Sequence, residues 1–345
     1  MMSTVLSGSL KGIVRTDLCT LGRKLGGVYF SHKATIVFNI PVQPEGCLHK
    51  CLVEIAAVTK RPEMTRWRIW VDGVPVTREY RPNYTLWLGD REVSTSIFDV
   101  TPIIRRDPLR TRHRLTIINE GSEPLLLLYS MMLKALEMSE ALTEVMYVSG
   151  GFELKPGETK EFTPPSLEGS SLTVVRIPIY ALCTPSIVTV KMPGAVKEFS
   201  INSIADEIKL STPSVGTIAL TNNNVCGSEC TLIAPSLVSY TERRRRPMLT
   251  VKAEEANESE KGMNVKVKIL NTGDRHAENV QVILLCLGEP VARKTIERIE
   301  AGDEVEVELK AKLPGKARVA VARVVWRDLD ETMLAEDRIR LPSRE

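Results

Sequence analysis

Asp303-Glu-Val-Glu-Val-Glu-Leu-Lys-Ala-Lys312 alternates charged and apolar residues from Glu304 onward. Val305, Val307, Leu309 and Ala311 fall on one side of an extended chain, and charged residues fall on the other. A period of two is the mark of a β-strand with one buried and one wet face. Arg318-Val-Ala-Val-Ala-Arg-Val-Val-Trp326 is a second run with strand character. Ala34–Ile40, Leu172–Ile177, Ser186–Val190 and Val265–Ile269 are short, β-branched and bounded by Gly, Pro, Asn or Ser. One wet face per strand belongs to antiparallel sheets rather than to parallel sheets buried between helices. The segment with the most helical spacing is Leu133–Met146, which reads otherwise as a strand end followed by a connection. With 20 prolines and 21 glycines spread at strand-like spacing, the expected fold is all-β, as tandem antiparallel sandwiches.

The chain has 345 residues, enough for two or three domains, with 43% hydrophobic and 26% charged residues and a net charge of +3. That composition excludes disordered, collagen-like and helical membrane-spanning classes. Punctuation predicts three sandwiches, at 1–148, 149–242 and 248–345. Gly150-Gly151 closes the first, and the polar run Thr241-Glu-Arg-Arg-Arg-Arg-Pro247 closes the second. Neither side of Pro247 carries enough charge to require a polyanionic partner: the first 247 residues sum to +5 and the rest to −2.

Two stretches resemble known families. Trp67-Arg-Ile-Trp-Val-Asp-Gly-Val-Pro-Val76, Ser96-Ile-Phe-Asp-Val-Thr-Pro-Ile-Ile104 and His113-Arg-Leu-Thr-Ile-Ile-Asn119 follow one another in the order seen in galactose-binding-like jelly rolls. They also resemble the sandwich regions of archaeal surface proteins. Asp72-Gly73 has the composition of a type I′ hairpin turn. Val265-Lys-Val-Lys-Ile-Leu-Asn-Thr-Gly-Asp274, Ala277-Glu-Asn-Val-Gln-Val-Ile-Leu-Leu285 and Ile299-Glu-Ala-Gly-Asp-Glu-Val-Glu-Val307 resemble a CARDB-type, immunoglobulin-like module. That resemblance implies adhesion or connection. Phe152-Glu-Leu-Lys-Pro-Gly-Glu-Thr159 has a similar turn.

Motifs for chemistry are sparse. The four histidines, His32, His49, His113 and His276, form no helical pair, and there is no P-loop, nucleophile elbow or dinucleotide fingerprint. The expectation is a protein that is not an enzyme and has no cofactor, acting in protein–protein interaction, self-association or structural assembly. Carbohydrate binding is the alternative, with Trp70, Tyr84 and Trp87 as the ligand-binding aromatics. A hydrolase with scattered carboxylates is the third reading. Arg243–Arg246 reads as a solubilising linker, and nucleic acid is not an expected partner.

Cys47-Leu-His-Lys-Cys51 and Cys226-Gly-Ser-Glu-Cys230 are two close pairs among seven cysteines. They read as buried or disulfide-bonded, with one zinc site built from Cys47, Cys51, Cys226 and Cys230 as the alternative. Glutamine occurs only at Gln43 and Gln281 amid abundant charge, the composition of a thermophile. Met1–Leu10 lacks a signal-peptide pattern, and no apolar run approaches the ~20 residues of a membrane helix. A cytoplasmic location is therefore expected, with a surface location left open.

Overall fold

The computed structural model describes residues 3–40, 47–108, 110–138, 141–167, 171–212, 216–224, 230–259, 262–311, 318–328 and 331–341. Its described residues build antiparallel sheets and two very short helices, Pro62–Met64 and Thr101–Ile104. The chain divides into two compact units, Met1–Arg244 and Arg245–Glu345.

The larger unit holds four sheets. One inner sheet runs in the order Gly12–Leu25, Leu125–Glu137, Cys47–Thr59, Arg91–Asp99, Tyr84–Leu88. The other runs Ser3–Leu10, Ala141–Leu154, Leu232–Arg244, Leu172–Ala181, Ala205–Thr212. The two pack face to face. Leu52, Ala56, Leu128, Met131 and Leu133 of one share a core with Val145, Val174, Ile233 and Val238 of the other. Each inner sheet has a second covered face. Val175, Ile177, Ile208, Leu232 and Leu237 pack against an outer sheet of Thr159–Phe162, Ile218–Asn222, Ser186–Met192 and Ala195–Ile201. Val53, Ile55 and Met132 are likewise buried, on the side of an outer sheet made from Lys33–Asn39, Arg112–Asn119, Trp67–Val71 and Val74–Thr77.

Double coverage explains where the sequence pattern fails. A strand buried on both faces reads as a continuous apolar run, without alternation. Leu125–Glu137 is such a strand, buried at nearly every position. Leu133–Met146 is therefore not helical: it spans the end of Leu125–Glu137 and the start of Ala141–Leu154.

The predicted boundary at 148/149 falls inside the strand Ala141–Leu154. Gly150 and Gly151 take φ of 98° and 72°, and the register with Leu232–Arg244 slips between Ser149 and Phe152. The diglycine is a β-bulge within one strand rather than a linker. The chain also passes twice between the inner sheets, at Leu10/Gly12 and between Glu137 and Ala141. The first crossing is tight: a Cβ on Gly12 would sit 1.9 Å from the Leu136 carbonyl oxygen. Two crossings and a shared core make the first 244 residues one unit.

Arg245–Glu345 is a two-sheet sandwich. Leu249–Ser259, Gly262–Asn271 and Glu304–Ala311 form one sheet, and Glu289–Ile299, Ala277–Cys286, Val319–Asp328 and Glu331–Arg340 the other. Val305, Val307, Leu309 and Ala311 all pack on its core beside Val267, Val282, Ala322 and Trp326, as the alternation of 303–312 requires.

One device recurs at three places, two in the larger unit and one in the smaller. Asn119, Asn222 and Asn271 are each fully buried at a strand end. Asn119 Nδ2 donates to the Leu25 and Glu123 carbonyls, and its Oδ1 accepts from the Gly121 N–H. Asn222 Nδ2 donates to Leu154 and Cys230 while Oδ1 accepts from Asn224 N–H. Asn271 Nδ2 donates to Arg275 and Ile299 while Oδ1 accepts from the N–H groups of Gly273 and Met248. An amide is the one uncharged side chain type that can donate twice and accept at once, so it satisfies backbone groups that a sandwich corner would otherwise bury unpaired. The turns Lys155-Pro-Gly-Glu158 and Glu300-Ala-Gly-Asp303 repeat as well: Gly157 N–H donates to Asn222 O at 2.7 Å, and Gly302 N–H to Asn271 O at 2.8 Å.

Candidate functional site

An opening lies in the first unit, where the edge strand Gly12–Leu25 of one inner sheet meets the end of Leu172–Ala181 in the other. It is a cleft of about 700 Å3 lined by Gly22, Arg23, Lys24, Tyr29, Phe30, Ser31, Arg91, Leu126, Tyr180, Ala181, Leu182 and Ile204. Three lining residues are cations and none is acidic. Arg23 and Lys24 have no acidic partner among the described residues; Arg91 Nε lies 3.8 Å from Asp90, whose carboxylate is also 2.6 Å from Lys60 Nζ. Lys24 Nζ sits 5.1 Å from the centroid of the Phe30 ring, a cation–π contact.

The rim of the cleft is a short projecting loop. Gly26 and Gly27 turn the chain with φ of 85° and 68°. A Cβ on Gly26 would lie 2.3 Å from Asn119 Nδ2, so only glycine fits. Gly26 N–H donates to Ser31 O, and Asn119 N–H donates to His32 O, both at 2.9 Å. The base of the loop is thus tied to the buried Asn119 corner. Its tip, Val28 and Tyr29, is 88% and 89% exposed. Leu182 and Ile204, which also line the cleft, are exposed too.

Two titratable clusters are sealed in cores. Glu54 is 1% exposed between the inner sheets. It accepts from the hydroxyls of Tyr129 and Tyr147, and the Tyr129 hydroxyl is 2.9 Å from Ser236 Oγ. Burial pushes its pKa up to about 7, against the lowering effect of its hydrogen bonds. Lys134, also buried, donates to the Arg110 carbonyl at 3.1 Å. Nearby, His113 Nδ1 is 2.6 Å from Asp72 Oδ2, and its Nε2 is 2.9 Å from Arg110 O. Burial lowers the pKa of both Lys134 and His113. Burial likewise pushes the Cys51 thiol up to about 12, which makes it a poor nucleophile. These groups tie sheets and turns together: Asp72 at φ 50° and Gly73 at φ 82° form the expected type I′ turn, and Asp72 Oδ1 accepts from Arg114 N–H at 2.8 Å.

The aromatic candidates do not assemble. Trp70 lies on an outer sheet and Tyr84 and Trp87 on an inner-sheet edge strand. Tyr84 and Trp87 are three residues apart on that strand, so they point to opposite faces. Trp87 is 56% exposed, whereas Trp67 is buried, edge-on to Tyr80.

The cysteines also pair differently. Cys230 is bonded to Cys183, 47 positions away and outside both close pairs, which takes Cys230 out of the zinc alternative; Cys226 lies outside the described residues. Cys47 and Cys51 are both free thiols, one exposed and one buried. Four residues apart on one strand they stand about 13 Å from each other, too far for a disulfide or a common metal ion. No group of three potential metal ligands occurs among the described residues. Sequence reading passed over Arg23, Lys24, Tyr29 and Phe30. The available signal was Gly26-Gly27 followed at once by Val28-Tyr-Phe30, an apolar triplet where a turn should be polar.

No helix among the described residues is long and apolar enough to cross a membrane. No curated protein matches the chain in sequence. Among solved structures, the β-glucuronidase from Ruminococcus gnavus in complex with D-glucuronic acid is 14% identical, with a TM-score of 0.22, covering 60% of this chain and 37% of that one. The same enzyme's apo structure is 15% identical at a TM-score of 0.22, covering 60% and 36%. The chain therefore spans just over a third of the length of these structures. Residues 246–329 match the CARDB family, so the second unit is similar to a CARDB module.

Proposed function

We propose that this chain is a non-enzymatic, multidomain β-sandwich protein that works by binding other proteins or by assembling into a larger structure. The observation that carries this reading is the loop tip at the cleft. Val28 and Tyr29 stand almost fully exposed on a loop whose base is fixed by the Asn119 corner. Large apolar side chains held out on a rigid support bind with little loss of entropy, and Tyr and Arg are enriched at interface hot spots. The resemblance of the second unit to CARDB modules, which adhere or connect, supports the same reading. So does the burial of Glu54 and Lys134, whose polar atoms are held in hydrogen bonds within the fold.

The test is affinity purification of the tagged chain from its own cells, with light scattering of the purified protein. The expected outcome is a stoichiometric protein partner, or a self-associated species, whose binding weakens about tenfold in Tyr29→Ser, the scale of one hot-spot residue. A strict monomer that retains no partner would contradict the proposal. The carbohydrate reading keeps one exposed ring, Trp87. A glycan titration in which Trp87→Ala abolishes saturable binding would revive it.

A further inference from the structure

The charge and apolar lining of the cleft select the chemistry of what fills it. This rests on the reading of the chain as a protein-binding molecule and goes one step further. Arg23, Lys24 and Arg91 face the cleft with no acidic residue among its lining, and neither Arg23 nor Lys24 has an acidic partner among the described residues. Cations gathered on one concave surface create a local positive potential, although the net charge of the whole chain is only +3. The remaining wall is apolar: Tyr29, Leu182 and Ile204 are all exposed to solvent. A polyanion with no apolar groups, such as a sulfated glycan, would match the cations and leave this wall unpaired. An apolar segment without acids would bury the cations unpaired, which costs binding energy.

We propose that the cleft takes an acidic segment of a partner protein that carries a large apolar side chain, its carboxylates pairing with Arg23, Lys24 and Arg91 and its apolar group lying against Tyr29, Leu182 and Ile204. Arg forks bind carboxylates in bidentate fashion, which sets orientation. The cation–π contact between Lys24 and Phe30 holds that ammonium at the mouth. Because the cations are solvent-exposed, the electrostatic part of this binding is sensitive to salt.

The test uses the full chain and fluorescence anisotropy with three labelled twelve-residue probes. One alternates Glu with Leu and Phe, one replaces every Glu by Lys, and one replaces every Leu and Phe by Ser. The expected result is saturable binding of the first alone, weakened at least tenfold by Arg23→Glu with Lys24→Glu, and separately by Leu182→Ser. Rising salt weakens it further. All three positions are exposed, and unchanged circular dichroism and melting curves verify that the variants fold. The proposal is overturned by absence of saturable binding of the acidic apolar probe, by equal binding of the Lys probe, or by an unchanged affinity in the charge-reversed variant. Tighter binding of heparin than of the first probe, lost in the same variant, would also overturn it in favour of a glycan. A native partner that binds wild type and the charge-reversed variant equally would sink this assignment and leave the protein-binding reading standing.

Discussion

Glu54 has a carboxyl group whose titration reports directly on the packing of the inner sheets. Its pKa in the folded chain is about 7, against an ordinary value of 4.5. Between those values the folded state holds a proton that the unfolded chain has released, so stability falls as pH rises. The contribution is fully present below pH 4.5 and is lost as pH climbs through 7, at a slope of at most about 1.4 kcal/mol per pH unit. Urea titrations from pH 4.5 to 8 should show this slope in wild type, and Glu54→Gln should flatten it. A slope unchanged in the variant would place the titration elsewhere. Asn271 makes a second prediction at this scale. Asn271→Ala leaves the carbonyls of Arg275 and Ile299 and the N–H groups of Met248 and Gly273 without this partner. The loss should be about 3 kcal/mol or more, read from chemical denaturation of the second unit. Asn271→Asp should not rescue it, since a carboxylate cannot donate. The Asn271-Thr-Gly273 turn was legible in the sequence through its resemblance to CARDB modules. Its counterparts at Asn119 and Asn222 were not, because one amide among ordinary strand residues leaves no periodic trace, and the second lacks the glycine two positions on.

At the scale of the element, the cross-link between Cys183 and Cys230 joins the end of Leu172–Ala181 to the start of Leu232–Arg244. Those strands are already neighbours in one sheet, so the bond acts chiefly by restricting the unfolded chain. A separation of 47 residues corresponds to about 4 kcal/mol in the chain-entropy account. Cys183→Ser, or reduction, should lower the denaturation midpoint of the first unit accordingly; an unchanged midpoint would mean the bond does not form in solution. Strands with one wet face, such as Glu304–Ala311, could be read from alternation alone. Leu125–Glu137 could not, because burial on both faces erases the period that separates strand from helix. Gly150-Gly151 misled for a related reason: a bulge and a linker both need glycine at positive φ, and composition does not separate them.

For the whole molecule, the four-sheet arrangement predicts which pieces can stand alone. Residues 1–148 would expose the face of the inner sheet that bears Leu52, Leu128, Met131 and Leu133, so this fragment should aggregate or remain unfolded. Arg245–Glu345 has its own core and should fold by itself with a cooperative melt. A soluble, folded monomer of 1–148 would refute the shared core. Besides the cleft, the first unit offers an alternative surface at a sheet edge: Val196, 62% exposed on the strand Ala195–Ile201 at the edge of an outer sheet. Edge strands are themselves templates for pairing. Placing a photo-cross-linking amino acid at position 29 or at position 196 of the full chain, in its own cells, sets the two against each other. The account predicts one discrete cross-linked protein from position 29 and none from position 196; cross-links from position 196 alone, or none from either, would contradict it.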